Sequence, residues 1–239
     1  MKVQYIYHSG FLVEFEDAVF IFDYWQGELP EFQPEKKVFV FSSHWHHDHF
    51  KSKVFDWAER FPNIYYILSK DIKAKPDKPL QILRVKARET YEIGGCRIRT
   101  LRSTDEGVAF VVEYQGKTIY HAGDLNWWHW EGESKSYNNN MKTNYQREIQ
   151  LLADESIDVA FIPVDDRLEE QYYWGIDWFM RHTDTKIAFP MHLWEKYELC
   201  DKLLSEPDVQ PYKDRIQKVE YPGQIFVLEE KGVQEASGK

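Results

Sequence analysis

Hydrophobic residues come in short, closely spaced stretches from the start of the chain. Residues 3–7 (VQYIY), 11–16 (FLVEFE) and 19–23 (VFIFD) are rich in β-branched and aromatic side chains. The turn-formers Ser9-Gly10 and Glu16-Asp17 separate them, so three strands in quick succession are predicted. After a loop bounded by Pro30 and Pro34, residues 37–41 (KVFVF) form the apolar run of a strand covered on both faces. The spacing of Val54, Phe55, Trp57, Ala58 and Phe61, closed by Pro62, predicts a helix. Strands are predicted at 64–68, 82–86, 97–101, 108–114 and 117–121, with a hairpin turn at Gln115-Gly116. Residues 125–144 are polar and tryptophan-rich and are predicted to be a long loop. The last third alternates, with helices predicted at 146–153, 175–182 and 194–204 and strands at 159–163, 186–190 and 224–228. Strands first and then β/α alternation predict an α/β fold of layered sheets with helices outside.

Composition narrows the class. The 239 residues are 43% hydrophobic and 16% aromatic, which excludes a disordered chain. One domain spanning 1–239 is expected from the length and from the lack of a Gly-, Ser- or Pro-rich linker. A mean hydropathy of −0.62 and the absence of an apolar run near ~20 residues predict no membrane span. Thirty Lys and Arg against forty Asp and Glu leave a formal charge of −10, which argues against nucleic acid as a partner. It leaves room for a small substrate, phosphorylated ones included, where metal ions supply positive charge. The opening MKVQYIYHSG lacks the pattern of a secretion signal, and Cys96 and Cys200 are expected as inert thiols. Both point to the cytoplasm.

The strongest chemical signal is His44-Trp45-His46-His47-Asp48-His49, directly after the strand at 37–41. Four imidazoles and a carboxylate in six residues are costly to bury without a purpose. Two apart at a strand end, His44 and His46 can point to the same side, as a metal requires. Asp48 and His49 sit one turn on and can face a second ion.

The H-x-H-x-D-H run formed by His44, His46, Asp48 and His49 resembles the signature of the metallo-β-lactamase superfamily. Gly123-Asp124 in TIYHAGD, His192 in KIAFPMH and Asp23 in VFIFD match that family's later and earlier motifs in order and in strand context. The stretches YHSGFLVE, TIYHAGD and PMH are most similar to the branch that holds ascorbate-6-phosphate lactonase and other metal-dependent hydrolases. The resemblance implies an αββα sandwich of two central mixed sheets with helices on the outer faces. It also implies one or two divalent ions: zinc, manganese or iron. His44 and His46 would ligate the first, Asp48, His49 and His192 the second, and Asp124 would bridge them. A hydroxide between the ions would be the nucleophile, with Asp48 the catalytic residue that orients it and shuttles its proton. Asp23 would hold the histidine loop by hydrogen bonds.

The chain departs from the family where a third histidine for the first ion is usual. There it reads Arg102-Ser103-Thr104-Asp105-Glu106-Gly107. Asp105 can replace the imidazole and favour harder metals, the first site can be weak or empty, or a distant residue such as His129 can fold back. His8 and His121 can either reach the pocket or pack as core histidines. His47 is expected to point away from the metals, and His182 to end a helix. Trp127 and Trp128, with His129 and Trp130, can wall the pocket, as can Trp45 and Trp194, or pack on one another.

The expected function is a metal-dependent hydrolase acting on a small polar ester, lactone or phosphodiester. The alternatives are an iron or manganese oxidoreductase on the same fold, or a metal-binding protein without catalysis.

Overall fold

The computed structural model describes residues 1–229 and 232–235. The chain divides into two compact units, one of Met1–Val85 with Tyr221–Lys239 and one of Lys86–Glu220.

The first unit is built on an eight-stranded mixed sheet. Its strands are β1 (Lys2–Tyr7), β2 (Gly10–Glu14), β3 (Ala18–Phe22), β4 (Lys37–Ser42), β5 (Ile64–Ser69) and β6 (Ile82–Val85), each within a few residues of the predicted position. The second unit holds a six-stranded mixed sheet of β7 (Thr90–Ile93), β8 (Cys96–Arg102), β9 (Val108–Tyr114), β10 (Lys117–His121), β11 (Ser156–Pro163) and β12 (Asp184–Met191). The chain then returns to the first unit for β13 (Ile225–Glu229) and β14 (Gly232–Glu235). The spatial orders are β14-β13-β1-β2-β3-β4-β5-β6 and β12-β11-β10-β9-β8-β7.

Each sheet is antiparallel at one end and parallel at the other. β3, β4, β5 and β6 are joined in parallel, as are β10, β11 and β12. Parallel strands buried on both faces carry continuous apolar runs, and Val38 to Phe41 and Ile157 to Ile162 obey this except at Asp158. Register sets the aromatic packing: Phe20 pairs with Phe39 and Phe22 with Phe41, and their rings stack at 4.8 and 4.7 Å. The opposite face of the same sheet buries Val19, Ile21, Val38 and Val40 with Val54, Phe55 and Phe61. The predicted helix here is a 3-10 helix, Ser52–Glu59, whose buried Val54 and Phe55 close that core. The β9–β10 hairpin turns through Gln115 and Gly116, both with positive φ (49° and 73°), the geometry of a type I′ turn.

Two helical expectations need correction. Residues 125–144 are not one loop, because α1 (Lys135–Gln150) starts ten residues into them. Its sequence, KSYNNNMKTNYQREIQ, is poor in intrinsic helix formers. Ser134 caps it by accepting from the Tyr137 amide (3.1 Å), and Tyr145 and Ile149 bury its inner face. Tertiary packing, against α2 (Trp174–His182) in particular, overrides propensity. The helix expected from Trp194 begins only at α3 (Glu198–Ser205), since Trp194 and Glu195 adopt positive φ (48° and 62°). The strands β7 and β14 lie where none was predicted.

Candidate functional site

The strand ends place the chemistry. β1, β3 and β4 run in the same direction, and His8, Asp23 and His44 follow their carboxyl ends. In the second sheet β8, β10, β11 and β12 share a direction, and Asp105, Asp124, Asp165 and His192 come after theirs. Ligand sites of open α/β sheets gather at such ends. Three of these residues, His8 (φ 56°), Asp23 (43°) and His192 (66°), have left-handed backbones, which non-glycine residues adopt only where the surroundings enforce it.

In the first unit one buried carboxylate organises the histidines. Asp23 accepts from the Ser43 amide (2.7 Å), the Ser43 hydroxyl (2.6 Å) and His49 Nδ1 (2.7 Å). A carboxylate only accepts, so His49 carries its proton on Nδ1 and the lone pair on Nε2. Ser43 has one hydroxyl proton and gives it to Asp23. Its oxygen must then accept from His44 Nδ1, 2.9 Å away, which again leaves the lone pair on Nε2. That nitrogen lies 3.0 Å from His46 Nδ1. Two imidazole nitrogens bound at ~2.0–2.1 Å to one tetrahedral ion lie about 3.3 Å apart, so this pair has the bite of a chelate. Trp45, between the two histidines, is fixed through its amide to Asp71 Oδ2 (2.8 Å). Its ring is exposed, as is His47.

His8, Asp48 and His49 offer one ligand atom each, all within 4.8 Å of one another. Burial pushes the Asp48 carboxyl up, but the imidazoles of His8 and His49 outweigh it and hold the group well below the usual carboxylate range. Asp48 is therefore an anion at neutral pH.

The second unit repeats the device. Pro163 pairs with Met191 in parallel register, so the residues that follow these strands, Asp165 and His192, emerge side by side. Asp165 accepts from His192 Nδ1 (2.8 Å) and from Arg167 Nε (2.9 Å). Burial raises the Asp165 carboxyl, yet these two donors prevail and hold it well below the usual range. His192 Nε2 faces Asp124 Oδ1 at 3.6 Å. His121 accepts from the Gly123 amide (3.1 Å), so it shapes the turn that presents Asp124. The donor set of imidazoles and carboxylates, with ring orientations fixed from behind, fits a divalent cation.

The sequence matches the family model for the β-lactamase superfamily domain over residues 2–130, more than half of the chain. The chain belongs to the β-lactamase superfamily. A UPF0173 metal-dependent hydrolase of Alkaliphilus metalliredigens (strain QYMF) is 26% identical over 214 residues, 80% of this chain and 85% of that protein. The metallo hydrolase Igni18 from Ignicoccus hospitalis KIN4/I superposes with a TM-score of 0.63 at 18% identity, covering 95% of this chain and 99% of its own. YhfI of Bacillus subtilis, described as a metallo-β-lactamase fold protein, gives 0.64 at 13%, with 94% and 97% covered. Two mixed sheets with their helices thus have the metallo-β-lactamase fold expected from the motifs.

Within this superfamily member, a cleft of about 170 Å³ in the second unit is lined by Asp105, Asp124, Trp128, Trp130, Tyr137, Met141 and Arg167. In the turn that carries Asp105 the Ser103 hydroxyl accepts from the Asp105 amide (3.1 Å). Among the described residues Asp105 joins no group of three or more clustered ligand atoms. The tryptophan stretch has two sides. Trp128 and Trp130 stack in parallel and line the cleft, and Trp128 donates from Nε1 to the Asp124 carbonyl (2.9 Å). Trp127 and His129 pack edge-on against Trp174 instead. Trp194 stands edge-on to the His192 ring at 5.6 Å.

Sequence reasoning missed Asp165, Arg167, Ser43 and Asp71. The available signal was position: Asp165 comes two residues after the strand SIDVAFIP, as Asp23 comes one residue after AVFIF. Cys96 and Cys200 are buried free thiols, pushed by burial to about 12 and about 11. His182 ends α2, with Nδ1 on the Trp178 carbonyl. No helix among the described residues is long and apolar enough to cross a membrane.

Proposed function

We infer that the chain is a metal-dependent hydrolase acting on a small polar ester, lactone or phosphodiester. The observation that carries this is the hydrogen-bond relay from Asp23, which holds His44 and His49 by their Nδ1 atoms and leaves Nε2 of each for a ligand. Core histidines need no such arrangement, whereas metal ligands do. Superfamily membership supports the same reading.

His44 and His46 would hold one divalent ion, Asp48, His49 and His192 a second, and Asp124 would complete the set. Zinc, manganese and iron all suit this mixture of nitrogen and oxygen donors. A divalent ion supplies water of lowered pKa and polarises the scissile group. Asp48, an anion at neutral pH, orients the nucleophile and accepts its proton at a carboxylate oxygen. Asp165 and Asp23 keep His192 and His49 in the ligating tautomer. The motifs YHSGFLVE, TIYHAGD and PMH support a substrate close to that of the ascorbate-6-phosphate lactonase branch. The acidic balance supports a small metabolite over nucleic acid, and the two free thiols support a reducing, cytoplasmic setting.

The test is elemental analysis of protein purified without chelators, followed by lactones, esters and phosphodiesters assayed under each metal. Chelation should abolish turnover and one of the three metals should restore it. Full turnover with no metal detected would sink the reading. Consumption of dioxygen by a coloured centre would move the chain to oxidoreductase chemistry.

A further inference from the structure

We propose that His8 is a metal ligand of the Asp48–His49 site, an imidazole outside the H-x-H-x-D-H run. This rests on the proposed metal dependence and extends it to a residue that the motif does not contain.

Four observations carry it. First, His8 is 1% exposed and stands at the carboxyl end of β1, on the same side of the sheet as the residues that follow β3 and β4. Second, its position is enforced. The backbone is left-handed (φ 56°), and its amide donates to the hydroxyl of the buried Tyr5 (2.8 Å). Two residues on, a side chain at Gly10 would meet the Tyr7 carbonyl at 2.9 Å, so the turn that carries His8 closes tightly. A strained, buried imidazole is retained where the surroundings over-determine it.

Third, the distances are those of ligands. His8 Nε2 lies 3.5 Å from Asp48 Oδ2, and His49 Nε2 lies 3.9 Å from the same oxygen. Donors bound at ~2.0–2.2 Å to a common ion lie about 3–4 Å apart, depending on the angle between them. Fourth, the two rings meet edge to face, with centroids 5.7 Å apart, so that they converge on Asp48 without stacking on each other. His8, Asp48 and His49 thereby form a two-imidazole, one-carboxylate set drawn from the first unit alone.

The test uses the full chain, stripped of metal and titrated with cobalt(II) and zinc. Wild type should take up cobalt with a visible absorption band. No uptake by wild type overturns the metal-dependent reading itself and leaves no ion for His8 to bind. His8→Ala should lower the affinity for one ion at least 10-fold and change the cobalt band, with circular dichroism of the metal-free variant checking its fold. His8→Cys should keep the site and add a thiolate-to-cobalt charge-transfer band in the near ultraviolet, absent from wild type despite Cys96 and Cys200. A hydrogen-bonding or packing role cannot produce that band. Unchanged affinity and spectrum in His8→Ala overturn the proposal. So does lost affinity in His8→Ala with no charge-transfer band in His8→Cys, which would make His8 a positioning residue.

Discussion

Asp23 and His49 are twenty-six residues apart in sequence and meet at 2.7 Å, with both side chains wholly buried. The contact exists because β3 and β4 are parallel neighbours: the Asp23 amide donates to the Phe41 carbonyl, extending the ladder by one bond. The same carboxylate reaches Ser43 and, through it, His44. One side chain therefore sets the protonation pattern of two rings.

Asp23→Asn should break that pattern. An amide presents a donor where the carboxylate accepted, so either His49 Nδ1 or Ser43 loses its acceptor. Metal affinity should fall about 10–100-fold, as it does when the group behind a ligating histidine is removed. Stability should fall by about 1–3 kcal/mol for each buried donor left unsatisfied. Metal titration and urea unfolding of the same sample read both effects. An Asn variant with wild-type metal affinity would show that the tautomers are set elsewhere.

Asp48→Asn tests the proton-handling role. The amide is nearly the same size but cannot accept a proton at neutral pH. Turnover should drop by roughly 10²–10⁴-fold while KM changes little, because the interaction matters most in the transition state. Steady-state kinetics with metal content checked in parallel would decide it, and unchanged turnover at full metal content rules the role out.

Asp158 provides a pH test remote from the chemistry. It lies on β11 and accepts from the Thr118 amide (2.9 Å), Lys117 (3.3 Å) and Lys186 (2.9 Å), tying β10 and β12 to the strand between them. Burial raises its carboxyl, but these donors outweigh burial and depress it. A folded pKa below the unfolded one stabilises the fold above the ordinary carboxylate range, and that stabilisation is lost as pH falls through the folded value. Asp158→Asn should cost about 1.5–3 kcal/mol at pH 7, and the gap to wild type should close as pH drops below about 4. Urea unfolding at several pH values follows it; a gap independent of pH would mean that the charge contributes nothing.

Gly175→Ala sets a clash against a propensity. A Cβ there would come within 1.8 Å of Asn126 Oδ1, in a buried residue two positions beyond Asp124. Ala would gain about 1 kcal/mol of helix propensity in α2. Overpacking of this kind costs about 1–3 kcal/mol, and the contact distance places this case at the upper end. The expected result is a lower Tm with weaker metal uptake. A higher Tm would show that Asn126 moves aside freely.

The parts of the fold legible in sequence were those written in local pattern. The apolar runs around Val38 to Phe41 and Val108 to Tyr114 marked strands to within a residue or two. The histidine cluster announced itself because its members are adjacent in the chain. Asp165 did not: its partner His192 is twenty-seven residues away, and only the parallel register of β11 and β12 makes them neighbours. Helix α1 was illegible for the opposite reason. Its Asn, Ser and Thr residues suit turns, and contacts far along the chain, such as the Tyr145 hydroxyl on the Gly175 carbonyl and the Arg102 amide on Glu148, hold them helical. In sequence His8 is one ambiguous histidine among several, because nothing near it reveals that β1 ends beside Asp48 and His49.

The tryptophan stretch after Asp124 behaves as a ribbon with a working side and an anchoring side. Trp128 and Trp130 face the cleft, while Trp127 and His129 clasp Trp174. The division is uneven, because Trp128 also holds the Asp124 carbonyl through its Nε1. An exchange at 130 therefore alters the cleft wall alone, while one at 128 also releases the backbone of a proposed metal ligand, and the anchor at 127 and 129 keeps the ribbon in place.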